Sequence, residues 1–360
     1  MSKKLIQGNY AIALAAIKAN VDAFFGYPIT PQNEVPEYLS KMLPEAGKVF
    51  VQAESEIAAA QMVYGAAGAG KRVMTSSSSV GIALKQETFS YLCGSELPCV
   101  IVSVMRAGPG LGGIQPSQSD YYQATRGGGN GDYNMIVYAP ESIEETLKYI
   151  QEGFEVAELY RNPVMVLVDG LIGQMMESVD LNVEIRKRDK PKADWAANGT
   201  ANHPGTRNII NSLYLDPNKL YEHNLKLKKK YDLMKQEETL YELVNMDHPD
   251  YVIVAYGTMA RISRSAILAL KKEGINVGMI RPITVWPFPT EAFDHIPKTC
   301  KGILTVELSL GQMVDDVLIS NNGRFPVAFY GKAGGVIIDS TEIVDVINNF
   351  KKWVIKDANV

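Results

Sequence analysis

The chain has 360 residues, 46% hydrophobic and 21% charged, which is the balance of a globular protein with two or three domains. Its 36 basic and 40 acidic residues leave a formal net charge of −4, so neither nucleic acid nor an anionic membrane is expected as a partner. No apolar run has the roughly 18 residues of a membrane helix and no secretory signal is evident, so we expect a cytoplasmic protein.

The cysteines and histidines restrict the chemistry. Cys93, Cys99 and Cys300 form no C-x-x-C pair, which argues against a disulfide framework and against a self-contained four-cysteine iron–sulfur cluster or zinc ribbon. The first of the four histidines is His203. If the active site lies in the N-terminal half, a cofactor rather than histidine is expected to supply its acid–base chemistry.

The N-terminal part alternates predicted helices and strands. Helices are predicted over residues 8–20, from about residues 30–34, and over residues 55–66 and 142–159. Strands are predicted over residues 23–27, 48–52, 73–76, 99–105, 135–138 and 164–169. Because these strands are apolar nearly throughout and helices separate them, they predict a parallel sheet covered on both faces.

Residues 186–245 have a different character. They contain the basic runs 186–192 (RKRDKPK) and 226–230 (KLKKK) and lack buried-strand patterns, so we interpret them as a charged linker followed by an exposed helix. An RNA-binding patch is disfavoured because acidic residues are plentiful nearby and aromatic residues are sparse.

A second α/β domain is predicted over residues 246–360. Its strands are expected at residues 251–256, 276–280, 302–307 and 326–330, with a helix beginning at Gly257 and Thr258. The two α/β units share no evident sequence repeat.

Two glycine-rich segments imitate nucleotide-binding motifs. Residues 65–71 (GAAGAGK) have P-loop spacing, but Arg72 stands where magnesium binding needs Ser or Thr, and the glycines are predicted to end a helix. The segment from Gly108 to Gly113 satisfies G-x-G-x-x-G, but Pro109 and Pro116 disfavour the helix that a dinucleotide pyrophosphate needs. An NAD-dependent dehydrogenase using Gly108 to Gly113 is kept as an alternative.

Several segments together resemble the 2-oxoacid:ferredoxin oxidoreductases. They are residues 26–31 (GYPITP), 54–59 (ESEIAA), 75–81 (TSSSSVG), 105–110 (MRAGPG), 281–283 (RPI), 286–289 (WPFP) and 307–312 (ELSLGQ). The resemblance implies an α/β fold with two domains. Residues 1–185 would form a pyrimidine-type thiamine-diphosphate-binding domain with a parallel sheet, and residues 246–360 a transketolase C-terminal-like domain.

Within that family, residues 109–118 look most like the branched-chain type, which acts on 3-methyl-2-oxobutanoate. A 2-oxoglutarate- or pyruvate-type enzyme is kept as an alternative. Ala107 departs from the family pattern, in which a glycine is more usual, and its methyl group is expected to narrow the loop slightly.

The resemblance assigns roles to individual residues. Glu56 corresponds to the glutamate that activates thiamine through N1′ of the pyrimidine, and Thr30 and Arg106 correspond to substrate-binding residues. The residues expected to bind the cofactor are Tyr27, Pro28, Ile29, Ser78, Ser79 and Glu56. Plain structural explanations also exist: Glu56 as an acid favoured by a helix dipole, Thr30 as a helix N-cap, and Arg106 as an arginine that ends a strand.

Missing motifs predict partners. The Gly-Asp-Gly…Asn string that binds the diphosphate through Mg²⁺ is absent, since residues 131–133 (GDY) fail at the third position. The resemblance implies a diphosphate-binding thiamine subunit that supplies Mg²⁺, a gamma-type subunit, and a ferredoxin-like iron–sulfur subunit with [4Fe-4S] clusters. The expected reaction converts a 2-oxoacid and CoA to acyl-CoA, CO2 and reduced ferredoxin, and this chain alone should be inactive. A non-catalytic scaffold subunit is the remaining alternative, although Glu56, Thr30 and Arg106 together argue against it.

Overall fold

Two mainly parallel sheets, one of seven strands and one of five, organise the chain in a computed structural model that describes residues 3–200 and 205–355. His203 lies outside the described residues. The α/β architecture predicted from the sequence is confirmed.

The N-terminal part supplies eight strands and seven helices of the described chain. The strands are β1 (Lys4–Gln7), β2 (Ala23–Gly26), β3 (Val49–Gln52), β4 (Val73–Ser77), β5 (Cys99–Met105), β6 (Ile136–Tyr138), β7 (Pro163–Asp169) and β8 (Met176–Val179). The helices are α1 (Gly8–Lys18), α2 (Glu34–Glu45), α3 (Glu56–Gly68), α4 (Ser79–Gly94), α5 (Tyr121–Thr125), α6 (Ile143–Tyr160) and α7 (Gly170–Gln174).

The remaining elements follow a long connection. The strands are β9 (Tyr241–Val244), β10 (Tyr251–Val254), β11 (Val277–Pro282), β12 (Thr284–Trp286), β13 (Ile303–Glu307) and β14 (Val327–Gly331). The helices are α8 (Pro217–Glu237), α9 (Gly257–Lys272), α10 (Met313–Asn321) and α11 (Ser340–Asn348), with short 3₁₀ helices at Thr290–His295 and Phe350–Lys352.

The large sheet has the strand order β12-β6-β7-β5-β4-β2-β3, and β12 alone among its strands runs antiparallel to its neighbour. Its central strand β5 is buried along its whole length and pairs with β7 from Cys99 opposite Pro163 to Met105 opposite Asp169. Strand β3 differs from the expected buried strand, because it forms the edge of the sheet and leaves Val49 50% exposed. The five-stranded sheet has the order β14-β13-β10-β11-β9.

Two short strands cross the boundaries drawn from the sequence. Strand β9 lies inside the predicted linker and exposed helix, residues 186–245, yet it pairs antiparallel with β11 in the five-stranded sheet. Strand β12 belongs by sequence to residues 246–360, yet it pairs with β6 in the seven-stranded sheet. The boundaries 1–185, 186–245 and 246–360 stay a prediction. Each sheet includes one strand from a neighbouring predicted segment.

The charged connection is held against the N-terminal part by ion pairs. Arg186 pairs with Glu152 at 3.3 Å and Lys190 pairs with Glu155 at 2.9 Å. Both acids are buried, so these pairs fix the path of the connection more firmly than exposed pairs would. In the described part of the chain, no helix combines the length and the apolar character needed to span a bilayer.

Two helix starts near the candidate site differ from the predictions. Helix α2 begins at Glu34 after Asn33, which makes no side-chain capping bond, so Thr30 is not a helix N-cap. The family-like segment at residues 75–81, for which no helix was predicted, contains the end of β4 and the first turn of α4. The start of α4 could not be recognised from the sequence, because serine is typical of turns as well as of helix N-termini.

Candidate active site

The candidate site lies where β2, β4 and β5 end. These strands and β3 are neighbours in the order β5-β4-β2-β3 and run parallel, so the segments that follow them meet at one edge of the sheet. Ligands of open parallel sheets commonly bind outside the carboxyl ends of the strands. The segments concerned are the loop after β2, the start of α3, the start of α4 and the loop after β5.

Glu56 is the first residue of α3 and is 9% exposed. The preceding Ser55 caps the helix by accepting a hydrogen bond from the Ala58 N–H at 3.2 Å, which fixes where the helix begins. Within the described part of the chain, no hydrogen bond or ion pair reaches the Glu56 carboxylate. Glu56 is therefore a buried carboxylate whose bonding capacity is free for a ligand.

Gly81 on α4 makes room for that carboxylate. A Cβ atom at Gly81 would lie 2.9 Å from Glu56 Oε1 and 2.1 Å from Ser77 Oγ, which is closer than atoms can pack. Glycine at this position therefore lets α3, β4 and α4 converge on Glu56.

Several hydroxyl and amide groups at the end of β4 are buried without partners. Ser77 Oγ and Ser78 Oγ have none, and Gln32 accepts a hydrogen bond from Ser76 Oγ at 2.6 Å while its own Nε2 is unpaired. Unpaired buried polar atoms are costly, so a cluster of them beside a free carboxylate fits a site that is completed by a polar ligand. The aminopyrimidine of thiamine diphosphate has the ring nitrogens and amino group to satisfy such atoms.

Arg106 ties two loops of the site together. Its side chain is largely buried, and the guanidinium donates from Nη1 to the Thr30 carbonyl at 2.9 Å and from Nη2 to the Leu111 carbonyl at 3.2 Å. Its Nε is buried without a partner. Arg106 is therefore more than an arginine that ends a strand, and two of its guanidinium N–H groups already bind backbone carbonyls.

Ser79 connects Arg106 to a buried acid that the sequence analysis missed. Its Oγ accepts from the Arg106 N–H at 2.9 Å and donates to Asp120 Oδ2. Burial raises the pKa of Asp120 to about 6, although the Ser79 hydrogen bond and the Arg106 charge oppose the shift. No periodic pattern surrounds Asp120, so the sequence offered no signal for it.

Lys85 is a second residue that the sequence analysis missed. It is fully buried on α4 and donates to Thr75 Oγ1 at 2.7 Å and to the Ser76 carbonyl at 3.1 Å. Lys85 is three residues after Ile82 and four before Phe89, which places it on the buried face of the helix. This spacing could have indicated from the sequence that Lys85 is buried.

The structure therefore brings five of the predicted residues together: Glu56, Ser78, Ser79, Arg106 and Thr30. Tyr27 and Pro28 are exposed and Ile29 is half-buried, so this loop turns its side chains outward from the edge of the sheet. The Thr30 hydroxyl accepts one long hydrogen bond, from Asn33 Nδ2 at 3.4 Å, which leaves it available to donate.

Two cavities border the site. One of about 410 Å³ adjoins Thr30 and is lined by Thr30, Pro31, Asn33, Glu34, Ile114, Gln115, Pro116, Gly170, Leu171 and Gln174. Another of about 690 Å³ lies between the start of α4, residues 107–111 and the C-terminal residues Leu310, Gln312 and Ala333. No cluster of three or more metal-binding side chains occurs within the described ranges.

The nucleotide-binding alternatives gain no support from the geometry. Residues 65–71 join the end of α3 to β4, the reverse of the order in a P-loop. No helix follows the loop from Gly108 to Gly113 until Tyr121, so no helix N-terminus is available for a dinucleotide pyrophosphate.

Comparisons with known proteins agree with this geometry. Residues 14–242 match the family described as pyruvate flavodoxin/ferredoxin oxidoreductase, thiamine diphosphate-binding, and residues 249–343 match pyruvate:ferredoxin oxidoreductase core domain II. The chain is 44% identical to ketoisovalerate oxidoreductase subunit VorB of Methanothermobacter thermautotrophicus, over 96% of this chain and 97% of that protein.

Two further relatives are informative. The chain is 35% identical to 2-oxoglutarate synthase subunit KorA of Methanothermobacter marburgensis, over 96% of this chain and 98% of that protein. A solved 2-oxoglutarate:ferredoxin oxidoreductase from Magnetococcus marinus, with 2-oxoglutarate, coenzyme A and succinyl-CoA bound, superposes with a TM-score of 0.87 at 27% identity. That match covers 97% of this chain but 65% of the solved chain, which is therefore considerably longer. The chain belongs to the 2-oxoacid:ferredoxin oxidoreductase family, as a subunit with the thiamine diphosphate-binding domain.

Proposed function

We propose that this chain is the pyrimidine-binding subunit of a 3-methyl-2-oxobutanoate:ferredoxin oxidoreductase. The complete enzyme would convert this branched-chain 2-oxoacid and CoA to acyl-CoA, CO2 and reduced ferredoxin. The observation that carries the proposal is the Glu56 carboxylate, which is buried against Gly81 and receives no hydrogen bond within the described chain.

The residues around Glu56 suit the activation of thiamine diphosphate. When bound, this cofactor supplies the carbon nucleophile that adds to the ketone of a 2-oxoacid and takes up the electrons left by decarboxylation. Glu56 would hold a proton against N1′ of the pyrimidine, and Ser77, Ser78 and Gln32 offer polar atoms that have no other partner.

Arg106 and Thr30 would hold the substrate. The free Nε of Arg106 and its remaining N–H groups can bind the carboxylate beside the ketone, while the backbone bonds from Nη1 and Nη2 fix the plane of the guanidinium. The Thr30 hydroxyl lies in the adjoining loop and can donate to the substrate oxygen. Asp120 and Ser79 support this arrangement through the Arg106 backbone.

The cavity of about 410 Å³ beside Thr30 supports an aliphatic substrate side chain. Among its described lining residues there is no lysine, arginine or histidine, whereas Ile114, Pro116 and Leu171 contribute apolar surface. Its one acid, Glu34, accepts a hydrogen bond from Asn9 Nδ2 at 2.7 Å. The second carboxylate of 2-oxoglutarate would need a cation here, so this lining favours a branched aliphatic acid.

The other components of the active site are proposed to reside on partner subunits. A diphosphate-binding subunit would supply the Mg²⁺ site, since residues 131–133 do not provide one. A gamma-type subunit and a ferredoxin-like subunit with [4Fe-4S] clusters would complete the enzyme, and ferredoxin would accept the electrons. The identity of 44% to the VorB subunit, against 35% to KorA, supports the branched-chain assignment.

The test is a Glu56→Gln variant in the assembled complex, assayed by reduction of a dye with 3-methyl-2-oxobutanoate and CoA. Loss of the activating carboxylate is expected to lower kcat by about 10²- to 10⁴-fold. Glu54→Gln is the matched control, because Glu54 is exposed two residues away, and it should retain full activity. Full activity of the Glu56 variant would refute the proposal.

The substrate assignment has a separate assay. The same complex is given 3-methyl-2-oxobutanoate, 2-oxoglutarate and pyruvate, and kcat/KM is compared. A higher kcat/KM for either of the latter two than for the branched acid would refute the substrate while leaving the role of Glu56 intact.

A further inference from the structure

Lys85 is unusual because its ammonium group is buried without an anionic partner at contact distance. The side chain has no exposed surface, and lysine is rarely buried unless it is paired. Its bonds go to the Thr75 hydroxyl at 2.7 Å and the Ser76 carbonyl at 3.1 Å, both neutral groups. No ion pair joins it to a carboxylate within the described residues.

Lys85 and the Glu56 contact lie on the same side of α4. Lys85 follows Gly81 by four residues, so the two positions are one helical turn apart on one face. At Gly81 the Glu56 carboxylate lies so close that an added Cβ would be 2.9 Å from Oε1. The α4 position that carries the buried ammonium is therefore one helical turn from the position that contacts the carboxylate assigned to thiamine activation.

Two ionisable groups act on Lys85 from other elements. These are Glu56 at the start of α3 and Cys99 at the start of β5. Burial raises the pKa of the Cys99 thiol, so this group stays neutral and Glu56 is the relevant anion. Burial lowers the pKa of Lys85 to about 7, while the negative charge of Glu56 acts in the opposite direction.

We propose that Lys85 is a positioning residue for Glu56, whose charge determines whether the proton shared with the pyrimidine resides on Glu56 or on N1′. A charged Lys85 stabilises the Glu56 carboxylate, which leaves the proton on N1′, and a neutral Lys85 lets Glu56 retain it. The inference rests on the proposed role of Glu56. It makes Lys85 the group whose loss of a proton lowers activity on the alkaline side.

The first measurement counts the protons exchanged when thiamine diphosphate binds to the cofactor-free complex. Isothermal titration calorimetry in buffers of different ionisation enthalpy gives this number between pH 6 and pH 9. The wild-type number should change with pH across the Lys85 titration. Lys85→Met should abolish that change. Lys230→Met is the matched control, because Lys230 is also largely buried but binds Glu96 and the Arg161 carbonyl, far from Glu56 in the fold. It should behave as wild type.

The second measurement is the pH profile of kcat. Lys85→Met should lose about tenfold in kcat near neutral pH, the effect of about one pKa unit on the position of the proton, and should lack the alkaline limb assigned to Lys85. Lys85→Arg keeps the charge at all these pH values, so it should recover activity and move that limb to higher pH. It also serves if the Met variant fails to assemble.

The outcomes separate the two proposals. If Glu56→Gln is fully active, the role of Glu56 is wrong. If Glu56→Gln is inactive but Lys85→Met and Lys85→Arg both keep the wild-type proton count and pH profile, the inference about Lys85 alone is overturned.

Discussion

Each of the two α/β units has a buried glutamate carboxylate beside the start of a helix, but the two carboxylates differ in their hydrogen-bond partners. Glu307 ends β13, and its carboxylate accepts hydrogen bonds from the N–H groups of Met313 at 3.0 Å and Val314 at 2.9 Å. It also accepts from Ser309 Oγ at 2.9 Å and from the Gln312 N–H. Glu56 begins α3 and receives no hydrogen bond within the described chain. The Glu307 carboxylate satisfies the free N–H groups at the start of α10, whereas the hydrogen-bonding capacity of the Glu56 carboxylate is not used by the described chain.

The same contrast extends to the neighbouring residues. Around Glu307 the hydroxyl and backbone donors point at the carboxylate, so the fold is complete without another molecule. Around Glu56 the Ser77 and Ser78 hydroxyls are unpaired. Burial of a charged group is therefore a weak indicator of function, and the supply of hydrogen-bond partners is the stronger one.

Removing the charge from Glu56 and from Glu307 is the strongest test of the difference between them. Glu56→Gln should cost about 10²- to 10⁴-fold in kcat and leave the free energy of unfolding nearly unchanged. Glu307→Gln should lower that free energy by about 1–3 kcal/mol, because its amide would face backbone donors, and leave kcat of the folded complex near wild type. Chemical denaturation and the dye assay measure the two quantities, and equal effects of both changes on both quantities would end the distinction.

Filling the space at Gly81 should have the next largest effect. Gly81→Ala places a methyl group against Ser77 Oγ and Glu56 Oε1, so it should displace the carboxylate and lower kcat by about 10²-fold. Gly65→Ala on α3 is the control, since nothing lies within 4 Å of its added Cβ, and it should be neutral or slightly stabilising. Similar kcat values for the two variants would mean that Gly81 does not set the Glu56 position.

Arg106→Lys tests the substrate side of the open site. Lysine keeps the charge but cannot reproduce the two backbone bonds and the free Nε at once. We expect KM for the 2-oxoacid to rise about 10- to 100-fold, the value of a charge-assisted hydrogen bond. Steady-state kinetics with varied 2-oxoacid provide the check, and an unchanged KM would remove Arg106 from substrate binding.

Asp120 should give the smallest effect on activity and a distinct pH signature. Its pKa is raised to about 6 from 3.8, so between these pH values the folded chain binds more protons than the unfolded chain, and stability falls as pH rises. Asp120→Asn should remove this slope and change kcat less than tenfold, since the amide oxygen can still accept from Ser79. Unfolding at pH 4 to 7 tests the slope, which should persist in the variant if Asp120 is not its source.

Much of the fold followed from local sequence. The apolar runs that form β5 and β7 were predicted within one residue of their ends, and Ser55 and Ser142 cap the helices expected after them. The strands β9 and β12 were missed because each is only three or four residues long and exists through its pairing with a distant strand. The length and hydrophobic periodicity of such a short segment do not indicate which distant strand it will pair with.

The residues of the candidate site also fall into two groups, those that the sequence predicted and those that it did not. Glu56, Arg106 and Thr30 were predicted because a family resemblance marked their motifs. In the structure Arg106 donates a hydrogen bond to the Thr30 carbonyl, and Glu56 lies against Gly81 near the start of α4. Lys85 and Asp120 lay outside those motifs. The roles proposed for them rest on burial beside other charges, which is a property of the folded chain and not of any short segment.

Strand β12 has a consequence for dividing this protein. It crosses from the C-terminal sequence to cover β6, and without it that edge of the seven-stranded sheet would present unpaired backbone groups. Cutting the chain near residue 245 would separate β6 from its cover even though the cut lies close to the junction of the two matched family regions, 14–242 and 249–343. The two parts of the chain therefore depend on each other through this strand pairing. A fragment that ends near residue 245 would leave β6 as an unpaired edge strand, which is expected to promote aggregation.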